Sequence, residues 1–216
     1  MYPYGDMNRL FAFLWSGLVL CGLAGCASAT RGRTAADAEC CGPLPSTAVP
    51  SGQPVYALNS DWETDAGRPA KLAELQGQPQ VLAMFYTSCH IACPVTVARM
   101  KQIESALPQR FRAKVGFALI TFDPVTDTPE TLHSYRKAQQ LSDRWSLWRG
   151  SEAATRELAG RLGVAFERER YRLSHSNQIV LLDAQGRIIS RLAGLRAPVD
   201  DLVKRLISAE TSNLEP

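Results

Sequence analysis

Two cysteines, Cys89 and Cys93, flank three residues in the stretch MFYTSCHIACPVTVARM, residues 84–100. They follow an apolar run and stand just before Pro94. Residues four apart face the same way on a helical turn, so both sulfurs point to one place. A helix opening at Pro94 aims its positive end there and favours thiolate over thiol. Such a pair is a redox couple, a metal clamp or a structural disulfide. Redox dithiols commonly carry two intervening residues rather than three. The third residue does not forbid a disulfide, but it gives both sulfurs room to grip one ion. Soft thiolates select copper(I) or zinc. Two suffice for linear copper(I), whereas copper(II) or zinc needs further ligands.

The chain has three histidines to offer: His90, His133 and His175. His90, between the cysteines, is expected to point away from the clamp. His133, in ETLHSYRK, reads as a solvated imidazole on a helix. His175, in YRLSHSNQIVLLD, stands on a loop leading into a buried strand. A lone histidine is more often structural than ligating, but this loop lies beside the amino end of the first helix if the sheet is built as follows.

QVLAMFY (80–86) and KVGFALITF (114–122) are nearly unbroken apolar runs of the length of buried central strands. PVTVARMKQIESAL reads as a helix between them, with apolar residues at 95, 97, 100, 103 and 107. DTPETLHSYRKAQQ opens another, with Asp127 or Thr128 as cap and Pro129 just inside. WSLWRG is a short strand, SEAATRELAGRLG a helix ended by Gly163, and NQIVLLDAQGRIISRLAG two strands around Ala184-Gln185-Gly186. APVDDLVKRLISAE closes as an amphipathic helix, and PVYALNSDWETDAGRPAKL reads as a strand and a hairpin turning near residues 65–67. Alternating strands and helices followed by a late hairpin predict an α/β thioredoxin-like sandwich, with a mixed central sheet and an N-terminal β-hairpin. In open α/β sheets the site lies beyond the carboxyl ends of the strands, where Cys89 and Cys93 fall.

With 216 residues, 45% apolar and 21% charged, the chain is long enough for one domain with a proper core. The formal charge is +3, and 24 Lys and Arg are scattered without a basic stripe, which argues against nucleic-acid binding. The first residues have the layout of a secretory signal: Arg9, an apolar run from Leu10 to Leu23, then small residues. LAGC, ending at Cys26, resembles the lipobox of bacterial lipoproteins, in which the cysteine is lipidated and becomes the first mature residue; the alternative is ordinary cleavage near Ala27–Ala29. The expected organisation is a signal over 1–25, a flexible tether over 26–53, a folded domain over 54–210 and a tail over 211–216. The tether would span about 30 Å, at roughly 5–6 Å × √n. The expected location is the periplasmic side of a membrane, anchored through Cys26; Ala27 in place of Asp leans towards the outer membrane. Disulfide and thiol chemistry are both open there.

FYTSCHIACP, TFDPVTDTPETL and LSHSNQIVLLDAQGRI together resemble, in order and spacing, the signatures of the Sco/SenC family of copper proteins. The resemblance covers residues 55–210 and implies a thioredoxin-like fold, a membrane anchor and a part in assembling the dinuclear copper centre (CuA) of cytochrome c oxidase. It implies Cys89, Cys93 and His175 as ligands of copper(I) or copper(II). The implied partners are the oxidase subunit carrying CuA and a chaperone that donates copper. It places Asp123, Asp127 and Pro129 in a loop beside the site without making them ligands, since turn and cap chemistry alone accounts for most of that stretch. Two departures stand out. The family usually has Asp before the histidine, where this chain has Ser174, so a carboxylate that could tune the imidazole is missing. And the tether carries Cys40 and Cys41, adjacent and so a poor disulfide. They could form an accessory soft-metal site or exchange electrons with Cys89 and Cys93; otherwise they are incidental or pair with other chains.

Three functions follow. A copper metallochaperone, a carrier rather than an enzyme, uses both cysteines and His175. A thiol–disulfide oxidoreductase, reducing the cysteines of the CuA site, uses Cys89 and Cys93 as its catalytic pair and does not need His175. A thiol peroxidase needs one activated cysteine and a nearby arginine, for which Arg99 is the close candidate.

Overall fold

The structure, a computed structural model, describes residues 52–169, 172–194 and 198–212. The signal, Cys26, Cys40, Cys41, the tether up to residue 51 and residues 213–216 lie outside the described residues.

Strands β3 (Gln80–Phe85) and β4 (Gly116–Thr121) are buried at every position. A strand covered on both faces has no polar side to show, which is why both read as unbroken apolar runs. They pair in parallel, Gln80 opposite Gly116 and Phe85 opposite Thr121. β5 (Trp145–Gly150) continues the parallel ladder beside β4. On the other side of β3, β8 (Gln178–Leu182) runs antiparallel, and β9 (Ile188–Ala193) pairs with β8. The hairpin β1 (Trp62–Thr64) and β2 (Pro69–Ala70) closes the far edge, giving the order β2-β1-β5-β4-β3-β8-β9.

The alternation of side chains divides the core in two. Val81, Ala83, Phe85, Phe117 and Leu119 pack towards α1 (Ala92–Ala106) and α5 (Val199–Ser212). The short α2 (Gln109–Arg112) and α3 (Pro129–Ala138) add Phe111 and Leu132 to that layer. Leu82, Met84, Ala118 and Ile120 face α4 (Glu152–Leu162) and the 3₁₀ turn at Leu72–Leu75. Local signals act as expected. Thr128 caps α3 by accepting from the Thr131 amide, with Pro129 in the first turn. Gly163 ends α4 in the left-handed region at φ 72°, where glycine has no Cβ penalty.

Three readings change. Val55–Ala57 is a 3₁₀ turn, closed by the Ala57 amide on the Pro54 carbonyl at 3.1 Å and the Leu58 amide on the Val55 carbonyl at 3.2 Å. α1 begins at Ala92, so Cys93 and Pro94 are the second and third residues of its first turn rather than lying before and at its start. The stretch before β8 is a separate two-stranded sheet, β6 (Phe166–Glu169) against β7 (Arg172–His175), and His175 is its last strand residue rather than part of a loop. Among the described residues no helix is long and apolar enough to cross a membrane.

Candidate metal centre

Topology brings three segments to one end of the sheet. β3 delivers Tyr86 to Cys89 at its carboxyl end. The parallel β4 delivers Phe122 there too, its amide donating to the Phe85 carbonyl at 2.7 Å. The antiparallel β8, with Ile179 opposite Ala83, starts where β3 ends, so the residues just before it arrive at the same place.

Cys89 is not itself helical. Its amide donates to the Tyr86 carbonyl at 3.2 Å, closing a tight turn. Its sulfur then sits over the opening of α1 and accepts from the Cys93 amide at 3.3 Å. Burial alone would push this thiol up, yet the amides of Cys93, Ile91 and Ala92 outweigh it and hold the group below the ordinary thiol range. Cys93, 1% exposed, is the opposite case. Burial dominates and drives its thiol far above the usual range despite a hydrogen bond from the Tyr86 amide, with Cys89 and Asp127 adding negative charge nearby. The pair is therefore unequal: Cys89 is the more acidic thiol, and Cys93 holds its proton until a bound cation displaces it. Both are free thiols. The Tyr86 hydroxyl, pushed up to about 12 mainly by burial, stays protonated and donates to the Cys89 sulfur.

His175 completes the group. Its Nε2 lies 4.0 Å from Cys93 Sγ, and the ligand atoms of Cys89, Cys93 and His175 all fall within 4.8 Å of one another. Nδ1 faces the Ser176 carbonyl at 3.3 Å, which places the proton on Nδ1 and turns the Nε2 lone pair to the sulfurs. The ring is held by Phe122 at 4.8 Å and, edge-on, by Tyr86 at 5.7 Å. Burial lowers its pKa, so the imidazole is neutral and free to ligate at pH 7. Two sulfurs and one nitrogen around a common point suit a soft, low-coordinate ion.

The other expected residues fall elsewhere. His90 is exposed. His133 lies on α3 with Nδ1 3.7 Å from Asp65. Arg99, on α1, hydrogen-bonds Gln102. Ser174 pairs with Glu167 and, by alternation, shows its side chain to the face opposite His175, so a main-chain carbonyl takes the place of a carboxylate on the imidazole. Asp127 is not the helix cap: fully buried, it accepts from the Thr87 amide and hydroxyl and from the Thr121 hydroxyl, fixing the turn two residues before Cys89. Tyr86, Phe122 and the Arg168–Asp123 ion pair were missing from the sequence reading. The alternation of Phe166, Arg168, Leu173 and His175 was the signal that could have revealed the hairpin.

The SCO1/SenC family model matches residues 53–209. A protein of Stutzerimonas stutzeri named for copper binding is 29% identical over 137 residues, 61% of this chain and 65% of that one, so the match spans a little under two thirds of the relative. Arabidopsis thaliana ScoI with copper bound has the same thioredoxin-like fold, with a TM-score of 0.63 at 20% identity, covering 74% of this chain and 98% of the other. BsSco, described with a disulfide switch and as a member of the Sco family of cytochrome c oxidase assembly proteins, gives 0.60 at 22% identity, covering 74% and 96%.

Proposed function

The chain belongs to the SCO1/SenC family, and from that premise we propose that it is a copper metallochaperone whose ligands are Cys89, Cys93 and His175. The observation that carries this is the neutral imidazole aimed at two buried sulfurs, all three ligand atoms within 4.8 Å. A dithiol that only exchanged disulfides would have no use for that nitrogen. Copper arrives at the Cys89 thiolate, displaces the Cys93 proton and is completed by His175; a partner's thiols then remove it by ligand exchange. The recipient is the CuA-bearing subunit of cytochrome c oxidase, and a second chaperone supplies the ion. The protein works on the periplasmic side of a membrane, held by lipid on Cys26.

A second reading has its own support in the unequal thiols. Here the Cys89 thiolate attacks a disulfide at the oxidase copper site, and Cys93 resolves the mixed disulfide. Two thiols of this chain become a disulfide, and the target cysteines are reduced.

Copper titration of the reduced chain separates the two. The carrier reading expects one copper per chain, lost in Cys89→Ser and weakened in His175→Ala. Unchanged copper(II) absorption in both variants would remove it. A Cys89–Cys93 couple at about −300 mV or below would instead speak against easy cycling.

A further inference from the structure

Cys89 and Cys93 follow the central strand β3 through one turn into α1, whereas His175 ends a strand of the separate β6–β7 sheet. What seats that hairpin therefore sets the distance from nitrogen to sulfur. The register places Phe166 opposite His175 and Arg168 opposite Leu173. By alternation these four side chains share one face. That face meets two consecutive residues at the end of β4. Phe122 takes the rings of Phe166 at 5.1 Å and His175 at 4.8 Å. Asp123 takes the Arg168 guanidinium, Nη2 to Oδ1 at 2.8 Å.

Ring contacts tolerate sliding, whereas a charge-assisted hydrogen bond fixes a direction. Asp123 is itself anchored. Its amide donates to Thr121 Oγ1 at 2.9 Å, and its carbonyl accepts from the Asp127 amide at 2.9 Å. Asp127 in turn holds the Thr87 amide at 3.1 Å, two residues before Cys89. A continuous set of polar contacts thus runs from the hairpin to the cysteine turn.

We infer that Arg168 is a positioning residue for the metal centre: through Asp123 it clamps the β6–β7 hairpin so that His175 Nε2 stays within coordinating reach of Cys89 and Cys93. The inference rests on the three-ligand reading above. Arg168 touches no copper ligand itself and acts only through the placement of His175.

The test uses the full chain with Cys40→Ser and Cys41→Ser, so that the tether thiols do not compete for copper. Copper(II) affinity is measured by chelator competition, and nitrogen coordination by the hyperfine splitting of the copper(II) resonance. Arg168→Gln should weaken binding about tenfold, the low end for residues that support metal ligands, and blur the nitrogen hyperfine pattern. Arg168→Lys should restore most of both. The potential of the metal-free Cys89–Cys93 couple should stay unchanged. In a His175→Ala background, Arg168→Gln should cost nothing further, because the residue through which it acts is gone. An equal tenfold loss in that background overturns the inference, as does native affinity in Arg168→Gln when His175→Ala alone is weakened. Native affinity in His175→Ala overturns the three-ligand reading and this inference with it.

Discussion

His175 Nε2 stands 4.0 Å from Cys93 Sγ although 82 positions separate them in the chain. The antiparallel placement of β8 beside β3 brings the residues before β8 to this end of the sheet, since the start of one strand abuts the end of the other. The site is thus a product of topology. Cys89 and Cys93 are set by one local turn, and His175 by the route of the chain.

The two thiols should differ sharply in reactivity. Cys89 is held below the ordinary thiol range by main-chain amides, and Cys93 is held far above it by burial. In the reduced, metal-free chain, iodoacetamide should label Cys89 first, with a midpoint below the usual value near 8.5. Cys93 should stay unlabelled at neutral pH. Mass spectrometry of the labelled peptides across pH checks the order. Equal rates, or Cys93 reacting first, would sink the assignment.

His175 yields a prediction about acid. Its folded pKa is lowered, first by burial, while the Ser176 carbonyl works the other way. A depressed value means that its contribution to stability is fully present above the unfolded value, near 6.5, and is lost as pH falls through the folded value. Denaturant midpoints of the metal-free chain should therefore drop below pH 6.5 by more than in His175→Gln, which cannot titrate there. Copper(II) binding should also persist below pH 6.5, where an ordinary imidazole is already protonated. A copper-binding inflection at or above 6.5 that disappears in His175→Gln would count against the buried, neutral ring.

Much of the scaffold could be read from the chain, because buried strands and helix caps are local patterns. QVLAMF and GFALIT are apolar at nearly every position, and each became a strand buried on both faces. Pro129 and Gly163 mark helix ends for reasons contained in their own rings and backbones. The β6–β7 hairpin escaped because one of its faces is polar and the other offers only Phe166 and Leu173 as apolar signal. The unequal thiols escaped for a different reason. Spacing cannot tell that Cys89 precedes the helix while Cys93 lies within it, and that one-turn difference decides which sulfur meets the free amides.

Gly186 should tolerate no side chain. It lies at φ +83°, and an added Cβ would stand 2.5 Å from the buried ring of Tyr56. Its carbonyl also receives the Val55 amide at 2.8 Å, tying the start of the described chain to the β8–β9 turn. Gly186→Ala combines left-handed strain with a ring clash, each of about 1–3 kcal/mol. Chemical denaturation should show a loss of at least about 2 kcal/mol. The centre lies at the other end of β8, so copper stoichiometry of the folded fraction should not change.

Asp127 should matter more for the shape of the cysteine turn than for its charge. Its carboxylate is buried and accepts from the Thr87 amide, the Thr87 hydroxyl and the Thr121 hydroxyl. Asp127→Ala leaves three donors without an acceptor, at about 1–3 kcal/mol for each that water cannot reach, so a loss of about 3 kcal/mol or more is expected. Asp127→Asn keeps one carbonyl oxygen for Thr87 and lets the Thr121 hydroxyl turn to accept from the new amide, so its loss should be under half of that. Copper binding should follow the same order, because Thr87 carries the turn that aims Cys89. Burial pushes the Asp127 carboxyl up, so removing its charge relieves a desolvation cost and partly offsets the lost hydrogen bond. Urea denaturation of the two metal-free variants, followed by copper titration of each, checks both orders. If Asp127→Asn proves as damaging as Asp127→Ala, the negative charge rather than the hydrogen-bond geometry holds the turn, and the account of how Cys89 is positioned fails.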